Sequence, residues 1–423
     1  MLGGMLLLAA PALAEPYFAV REGLRCSACH TNMTGGGKRT DLVSTHARDL
    51  LHYPNFFGAF SSPPEFFSGE VNKYISLGGD LRASNTAVFQ DGKPGADGVF
   101  HGQVSNDQVF RGRLEENRVE VTEAVLYGEV RLIPDYLTFY LDQRFQPQVT
   151  NREAFALLHG ILPWSGYVKA GEMFLPYGLQ LQDDEAFIRG GRTNGSSSIN
   201  TGFSFNTYEP AFEVGFEPGP VTLIAAVSNG PSGDRDVRVT TTASALFTDL
   251  PVVRNVLLGS SFSRVGPPSG EHERFGFFAG SNLERLTFQR GVDFLSALQL
   301  IIAPLTAIAP FTFLGEADFL SDSCHGSSCT ATTNGRTFGR FVAYGEGDYL
   351  FFDWLNFKAA VDYGDNDGTL GDTSDSENRV SVGLEPFLNR FLQPRLFYRI
   401  NNGIRRDPTH NQNLLLAEVH AFF

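Results

Sequence analysis

Cys26-Ser27-Ala28-Cys29-His30 carries the most specific chemistry in this chain. Two thiols with two residues between them share one face of a helical turn, where each can bond a vinyl group of the same haem. The adjacent histidine then ligates the iron from the proximal side. The pattern predicts one covalent haem c held by Cys26, Cys29 and His30, with His30 on the metal and no catalytic side chain assigned. A bare C-x-x-C would equally suit a redox disulfide or half of a zinc site. His30, and the lack of a second C-x-x-C anywhere in the chain, favour haem; a Cys26–Cys29 disulfide is the main rival.

Export agrees with that chemistry. Residues 1–14 read as a signal peptide, with an apolar stretch at Leu6, Leu7, Leu8 and Ala9 and an A-x-A-like end at Ala12-Leu13-Ala14. The mature chain is expected to begin near Glu15, although no lysine or arginine precedes the apolar core. Haem is attached to c-type cytochromes outside the cytoplasm, so motif and leader name one compartment. The other two cysteines, Cys324 and Cys329, flank a loop of small residues and are expected to form a local disulfide there. His325 beside them adds one nitrogen to two thiols, a poor tetrahedral set.

The elements that must carry the motif are strands. No uninterrupted apolar run reaches the ~18 residues of a spanning helix, and the longest candidate, 297–311, is broken by Pro304 and Pro310. From about Tyr74 onward the chain alternates with period two in segments of roughly ten residues, separated by short turns and long polar loops, as in transmembrane barrels. Strands are read near 74–90, 117–133, 136–147, 153–162, 166–173, 204–216, 220–230, 236–248, 252–264, 272–282, 309–320, 336–347, 354–364, 378–388, 392–403 and 412–423. In Glu123–Leu132, Ala124, Leu126, Gly128, Val130 and Leu132 form one face and Glu123, Val125, Tyr127, Glu129 and Arg131 the other. One such strand suits a soluble sandwich as well as a barrel.

Short connections at Pro134-Asp135, Pro163-Trp164-Ser165 and Pro218-Gly219 belong on the periplasmic side, and long ones at 91–116, 174–203, 321–335 and 365–377 outside. Residues 283–308 read as a periplasmic excursion; two further strands there would raise the count from about sixteen to about eighteen. An even count places both termini in the periplasm. The last strand alternates Leu415, Ala417, Val419, Ala421 and Phe423 with Leu416, Glu418, His420 and Phe422. Its terminal phenylalanine resembles the assembly signal of bacterial outer-membrane barrels. The expected fold is all-β: a transmembrane antiparallel β-barrel over 74–423, preceded by a monohaem cytochrome segment or plug with a short helical part over 15–73.

Two resemblances follow. Gly166-Tyr167-Val168-Lys169-Ala170-Gly171-Glu172-Met173-Phe174-Leu175-Pro176-Tyr177-Gly178-Leu179 resembles the strand entering the constriction loop of phosphate-selective-type porins. One C-x-x-C-H between a signal peptide and a sixteen-strand porin resembles the fused monohaem cytochrome-porins, a family that includes outer-membrane iron oxidases. That resemblance implies a haem-bearing conduit in the bacterial outer membrane, taking electrons from an extracellular donor such as Fe(II), or another redox-active substrate, to a periplasmic carrier cytochrome. Cys26, Cys29 and His30 carry over; the iron-oxidising branch continues with an aromatic-containing helix, whereas this chain continues Thr31-Asn32-Met33-Thr34-Gly35-Gly36-Gly37-Lys38-Arg39. Substrate and direction of electron flow are therefore open, as is oxidase-type activity. Porins of this size are frequently homotrimers.

Residues 15–73 are too few for an independent cytochrome, so haem and the barrel lumen are expected to complete their core, with Phe56, Phe57, Phe60, Phe66 and Phe67 packing around haem or wall. Residues 40–51 read as a short helix presenting His46 as the distal ligand; His52 ranks second, and Met33 or an open site after them. The net charge of −14 argues against nucleic acid and against a lysine-lined anion pore. Asp183-Asp184-Glu185 and the group Asp362, Asp365, Asp367, Asp372, Asp375 and Glu377 could gather cations, but solvated loops are the simpler reading. Arg189 and Arg192 suggest ion pairing with the nearby acidic triplet. A diffusion porin with a structural or disulfide-bearing plug is the alternative to electron transfer. A haem sensor or peroxide-handling site is a third, should the iron lack a sixth ligand.

Overall fold

Period-two alternation makes a stable sheet only when each strand finds partners on both edges, and here every barrel strand does. The computed structural model describes residues 16–40, 69–90, 113–179, 181, 186–190, 208–230, 237–250, 253–266, 270–283, 311–324, 337–352, 354–365, 376–387, 392–402 and 412–422. Its long strands are β2 (Ile75–Gln90), β3 (Arg113–Ile133), β4 (Leu137–Gln146), β5 (Thr150–Leu162), β6 (Gly166–Phe174), β7 (Tyr208–Phe216), β8 (Val221–Ser228) and β9 (Arg238–Thr248). They continue as β10 (Asn255–Val265), β11 (Gly270–Asn282), β12 (Phe311–Cys324), β13 (Thr337–Phe352), β14 (Leu355–Asp365), β15 (Ser376–Pro386), β16 (Leu392–Asn402) and β17 (Gln412–Phe422). A short β1 (Glu70–Asn72) pairs with the start of β2.

Successive strands pair antiparallel, and β17 closes the ring on β2 from Gln412↔Gln90 to Phe422↔Asp80. Closure removes the exposed edges of an open sheet. All sixteen expected strands, now β2–β17, are present. β3 starts earlier than read, because β2 still offers it partners as far as Gln90↔Arg113. β11 pairs with β12 from Gly270↔Cys324 to Asn282↔Thr312, leaving no place in the ring for two more strands between them. The alternative of eighteen is thereby excluded, while residues 284–310 lie outside the described residues.

What separates this barrel from a soluble sandwich is which face is apolar. Along β15, Val380, Val382 and Leu384 point outward and are exposed, while Glu377, Arg379, Ser381 and Glu385 point inward and are buried. The same inversion recurs on β3, where Leu126 and Val130 are exposed and Tyr127 and Glu129 buried, and on β17, where Val419 is exposed and His420 buried. An apolar side chain gains about 1.5–3 kcal/mol on leaving water, so a belt of such residues requires hydrocarbon around it. No helix among the described residues is long and apolar enough to cross a membrane; the strands do the crossing.

The core lies inside the ring. Helix α1 (Pro16–Glu22) starts with proline at its first position and ends at Gly23, whose φ is 69°. Leu24 N–H donates to the Ala19 carbonyl (2.8 Å) and Gly23 N–H to that of Val20 (3.3 Å), the six-to-one and five-to-two bonds of a Schellman stop. Tyr17, Phe18 and Val20 pack with Leu179, Phe187, Phe278, Leu314 and Tyr344 in one lumenal cluster. The amide of Asn255 donates to the Val20 and Arg21 carbonyls (both 2.8 Å) and that of Asn282 to Arg21 (3.0 Å), so wall side chains satisfy helix-end acceptors.

Candidate functional site: a lumenal cavity beside the C-x-x-C-H turn

The motif forms a single helical turn, α2 (Cys26–Cys29), closed by His30 N–H donating to the Cys26 carbonyl at 3.0 Å. Its entry is pinned to the β7–β8 turn. Arg25 pairs with Glu217 (3.0 Å) and donates to the Gly219 carbonyl, and the Ser27 hydroxyl donates to Glu217 (2.9 Å). Its exit is a tight reversal. Gly35, Gly36 and Gly37 have φ of 95°, 79° and 64°, a run that only glycine adopts without strain. Thr31 N–H then meets the Lys38 carbonyl (3.0 Å), His30 bridges to Arg39, and Thr40 returns to α2 through its N–H to Cys29 (3.0 Å) and its hydroxyl to Ala28 (2.7 Å).

The wall holds this loop with buried charges. Lys38 is 3.2 Å from Glu129, and its N–H donates to the Tyr140 hydroxyl at 2.8 Å. The Asn32 amide donates to Glu153 (3.1 Å), while Lys169 donates to the Asn32 carbonyl oxygen (3.1 Å) and pairs with Glu213 (3.0 Å). Tyr167 also donates to Glu213 (2.8 Å). Lys169, Glu153 and Glu213 are all fully buried, so these wall groups face the plug instead of an open water channel.

Cys26 and Cys29 are free thiols opening onto a cavity of ≈ 430 Å³, within the roughly 300–1,000 Å³ of small-molecule and cofactor pockets. Phe18, Leu24, Leu179, Leu257 and Phe278 give it apolar walls; Arg25, Arg39 and Arg82 add guanidiniums. Enclosure by the barrel pushes the Cys26 thiol up to about 11 although its side chain is open to the cavity, with Cys29 and Glu217 adding to the effect, and burial raises the half-buried Cys29. Protonated thiols are poor disulfide-exchange nucleophiles and poor zinc ligands. Burial and the Arg39 charge lower His30 to about 3, so its imidazole is neutral and able to bind metal. His30 Nδ1 is buried without a hydrogen-bond partner among the described residues. Paired thiols, a neutral imidazole and an apolar cavity edged with arginine all fit a haem and its two carboxylates.

The lid of the cavity is the chain after β6, which turns into the lumen as the constriction-loop resemblance implies. Leu175, Tyr177, Leu179 and Leu181 are buried there, and a 3-10 turn, η1 (Phe187–Arg189), follows. Gly178, with φ 61°, lies against the Arg189–Glu316 pair, where a Cβ would collide with both side chains. Leu179 N–H donates to Glu316 (2.8 Å) and Phe187 N–H to Asp362 (2.9 Å).

Several expected residues stand elsewhere than read. Arg189 reaches Glu316 (2.6 Å) and Asp318 (3.8 Å) on β12 across the lumen, while the acidic triplet expected to pair with it lies outside the described residues. Asp362 and Glu377 are buried strand residues on the lumenal faces of β14 and β15, Asp365 is the buried last residue of β14, and Asp362 is 3.0 Å from Arg379. Met33 lines the cavity and packs against the Tyr140 and Phe155 cluster. His46, His52, Phe56, Phe57, Phe60, Phe66, Phe67, Asp183-Asp184-Glu185, Arg192, Asp367, Asp372, Asp375, Cys329, Phe423 and the signal segment lie outside the described residues. Among the described residues no group of three or more His, Cys, Asp or Glu is arranged to hold a bare metal ion. Sequence reading overlooked Glu217, Asn255 and Asn282, polar residues at strand ends whose partners lie far away in the chain.

No protein-family model matches the chain, and no curated protein matches it. Among solved structures it is similar to OmpT, an outer membrane protein of Vibrio cholerae. The in-vitro folded form is 9% identical, with 84% of this chain and 99% of that chain covered and a TM-score of 0.50. The trimer form is 10% identical over 82% of this chain and 99% of that chain, with a TM-score of 0.51. Identity so low shows the fold, and the fold is that of an outer-membrane porin-type barrel.

Proposed function

We propose that this chain is a plugged outer-membrane barrel whose N-terminal segment binds one haem c and passes electrons between an extracellular donor or acceptor and a periplasmic carrier cytochrome. The observation that carries the reading is the cavity inside the barrel, onto which Cys26, Cys29 and His30 all open. Cys26 and Cys29 would hold the haem covalently and His30 would ligate its iron; bound there, the group supplies one-electron chemistry. Arg25–Glu217 and Ser27–Glu217 fix the turn that presents the thiols, while Gly35–Gly37 let Arg39 fold back beside His30. The inward loop and α1 line that side of the cavity.

A specific observation favours the second reading, a diffusion porin with an N-terminal plug: the solved neighbours are outer membrane proteins of porin type, and they lend haem no support. Fold similarity alone does not assign function. Proteoliposomes carrying the protein, with oxidised cytochrome c trapped inside and Fe(II) added outside, separate the two. Reduction of the trapped cytochrome by wild type and not by C26A/C29A is expected. Equal behaviour of the two proteins, with solute flux through both, sinks the electron-transfer reading. Fe(II) is the first donor to test; the direction of flow is read by exchanging donor and acceptor.

A further inference from the structure

His420 is an imidazole that the barrel has no evident structural need for. It sits on the lumenal face of β17, 1% exposed, and lines the same cavity as Cys26, Cys29 and His30. One nitrogen, Nε2, is 2.8 Å from Asp80 Oδ2 on the neighbouring strand β2; the other, Nδ1, is buried with no hydrogen-bond partner among the described residues. A buried polar nitrogen left unpaired needs an explanation. The surroundings tie it to the motif: its ring packs edge-on against Phe422 at 4.6 Å, and Phe422 in turn packs against Cys29 and lies under the Arg39 guanidinium at 4.4 Å.

We propose that His420 is the distal iron ligand of the haem, with Asp80 as its positioning residue; this rests on the haem-binding reading above. The nitrogen and sulfur donors among the described residues of the cavity are Cys26, Cys29, His30, Met33 and His420. The thiols and His30 are committed to attachment and the proximal side. Met33 follows His30 too closely to cross to the opposite face, and it packs toward Tyr140 and Phe155. His420 comes from a different element altogether. Its arrangement is that of a metal-binding histidine: a carboxylate accepts from one ring nitrogen, fixing the tautomer, and leaves a lone pair on the other. Asp80 is itself held 3.5 Å from Arg82. The assignment would lock the plug to the wall through the iron, joining the first described segment of the chain to its last strand.

The test uses full-length protein purified in detergent, with variants H420A, H420M, D80N, H46A, H52A and M33A. Absorption and electron paramagnetic resonance spectra report ligand class, and pyridine haemochrome after denaturation reports attached haem. Wild type is expected to be low-spin with two histidine ligands. H420A should turn high-spin and bind CO stoichiometrically where wild type binds none, and added imidazole should restore the low-spin form. H420M should show a histidine–methionine signature, a gain that loss of folding cannot mimic. D80N should stay low-spin with a raised potential, since a weaker acceptor makes the imidazole less basic. An H420A that stays low-spin, or an H420M that keeps the bis-histidine signature, with haem attached overturns the assignment alone, as does ligand loss confined to H46A, H52A or M33A. Absence of attached haem in wild type overturns the underlying reading as well.

Discussion

At the scale of single residues, the plug is held by buried polar pairs whose partners come from distant strands. Lys169 and Glu213 are both fully buried 3.0 Å apart, Asn32 adding a bond to Lys169 and Tyr167 one to Glu213. Lys169→Met leaves Glu213 as an uncompensated buried charge and should destabilise the barrel by about 3–5 kcal/mol. The pair K169M/E213L should recover most of that loss, because removing both charges also removes their desolvation cost. Urea unfolding in detergent, followed by tryptophan fluorescence, measures both. Asn255→Ala takes the donor from the α1 carbonyls and should weaken docking of residues 16–24 by about 1–3 kcal/mol. Protease cleavage near α1 should then accelerate while the strands stay intact. These partners were not legible in the sequence: Glu217 and Asn255 are polar residues beside turns, and only ring closure shows which distant segment they face.

At the scale of elements, the barrel was legible almost strand by strand, because burying one face of a strand imposes a period of two that survives any tertiary detail. The sequence split Glu123–Leu132 and the last strand into two faces each without assigning a lumen, and the structure turns the faces that hold Glu123, Glu129 and His420 inward. Loops were read less well. Asp362 and Glu377 sit at strand ends within an acidic stretch, and composition alone could not separate a lumenal strand residue from a solvated loop. Arg189 has a partner that proximity along the chain did not suggest: an inward loop delivers it to Glu316. A charge on the outer face tests the inversion directly. Val382→Arg, near the middle of β15, should cost about 2–4 kcal/mol in lipid. Val382→Leu should be close to neutral, as measured by reversible unfolding in liposomes.

At the scale of the whole molecule, a sixteen-strand ring leaves a channel that must be either open or filled, and α1, the C-x-x-C-H loop and the inward loop fill the described part of it. Wild type in planar bilayers is expected to conduct weakly, and a chain beginning at Gly69 to conduct as an open pore. Equal conductance of the two would show that residues 16–68 do not plug the lumen. Haem in that plug is the central claim, and intact-mass spectrometry of the denatured, full-length protein exported by a host with cytochrome c maturation tests it most directly. The expected result is a mass increased by one haem in wild type and unchanged in C26A/C29A. A wild-type mass without the haem increment, whether or not it is lowered by two or four hydrogens for disulfides, would contradict it.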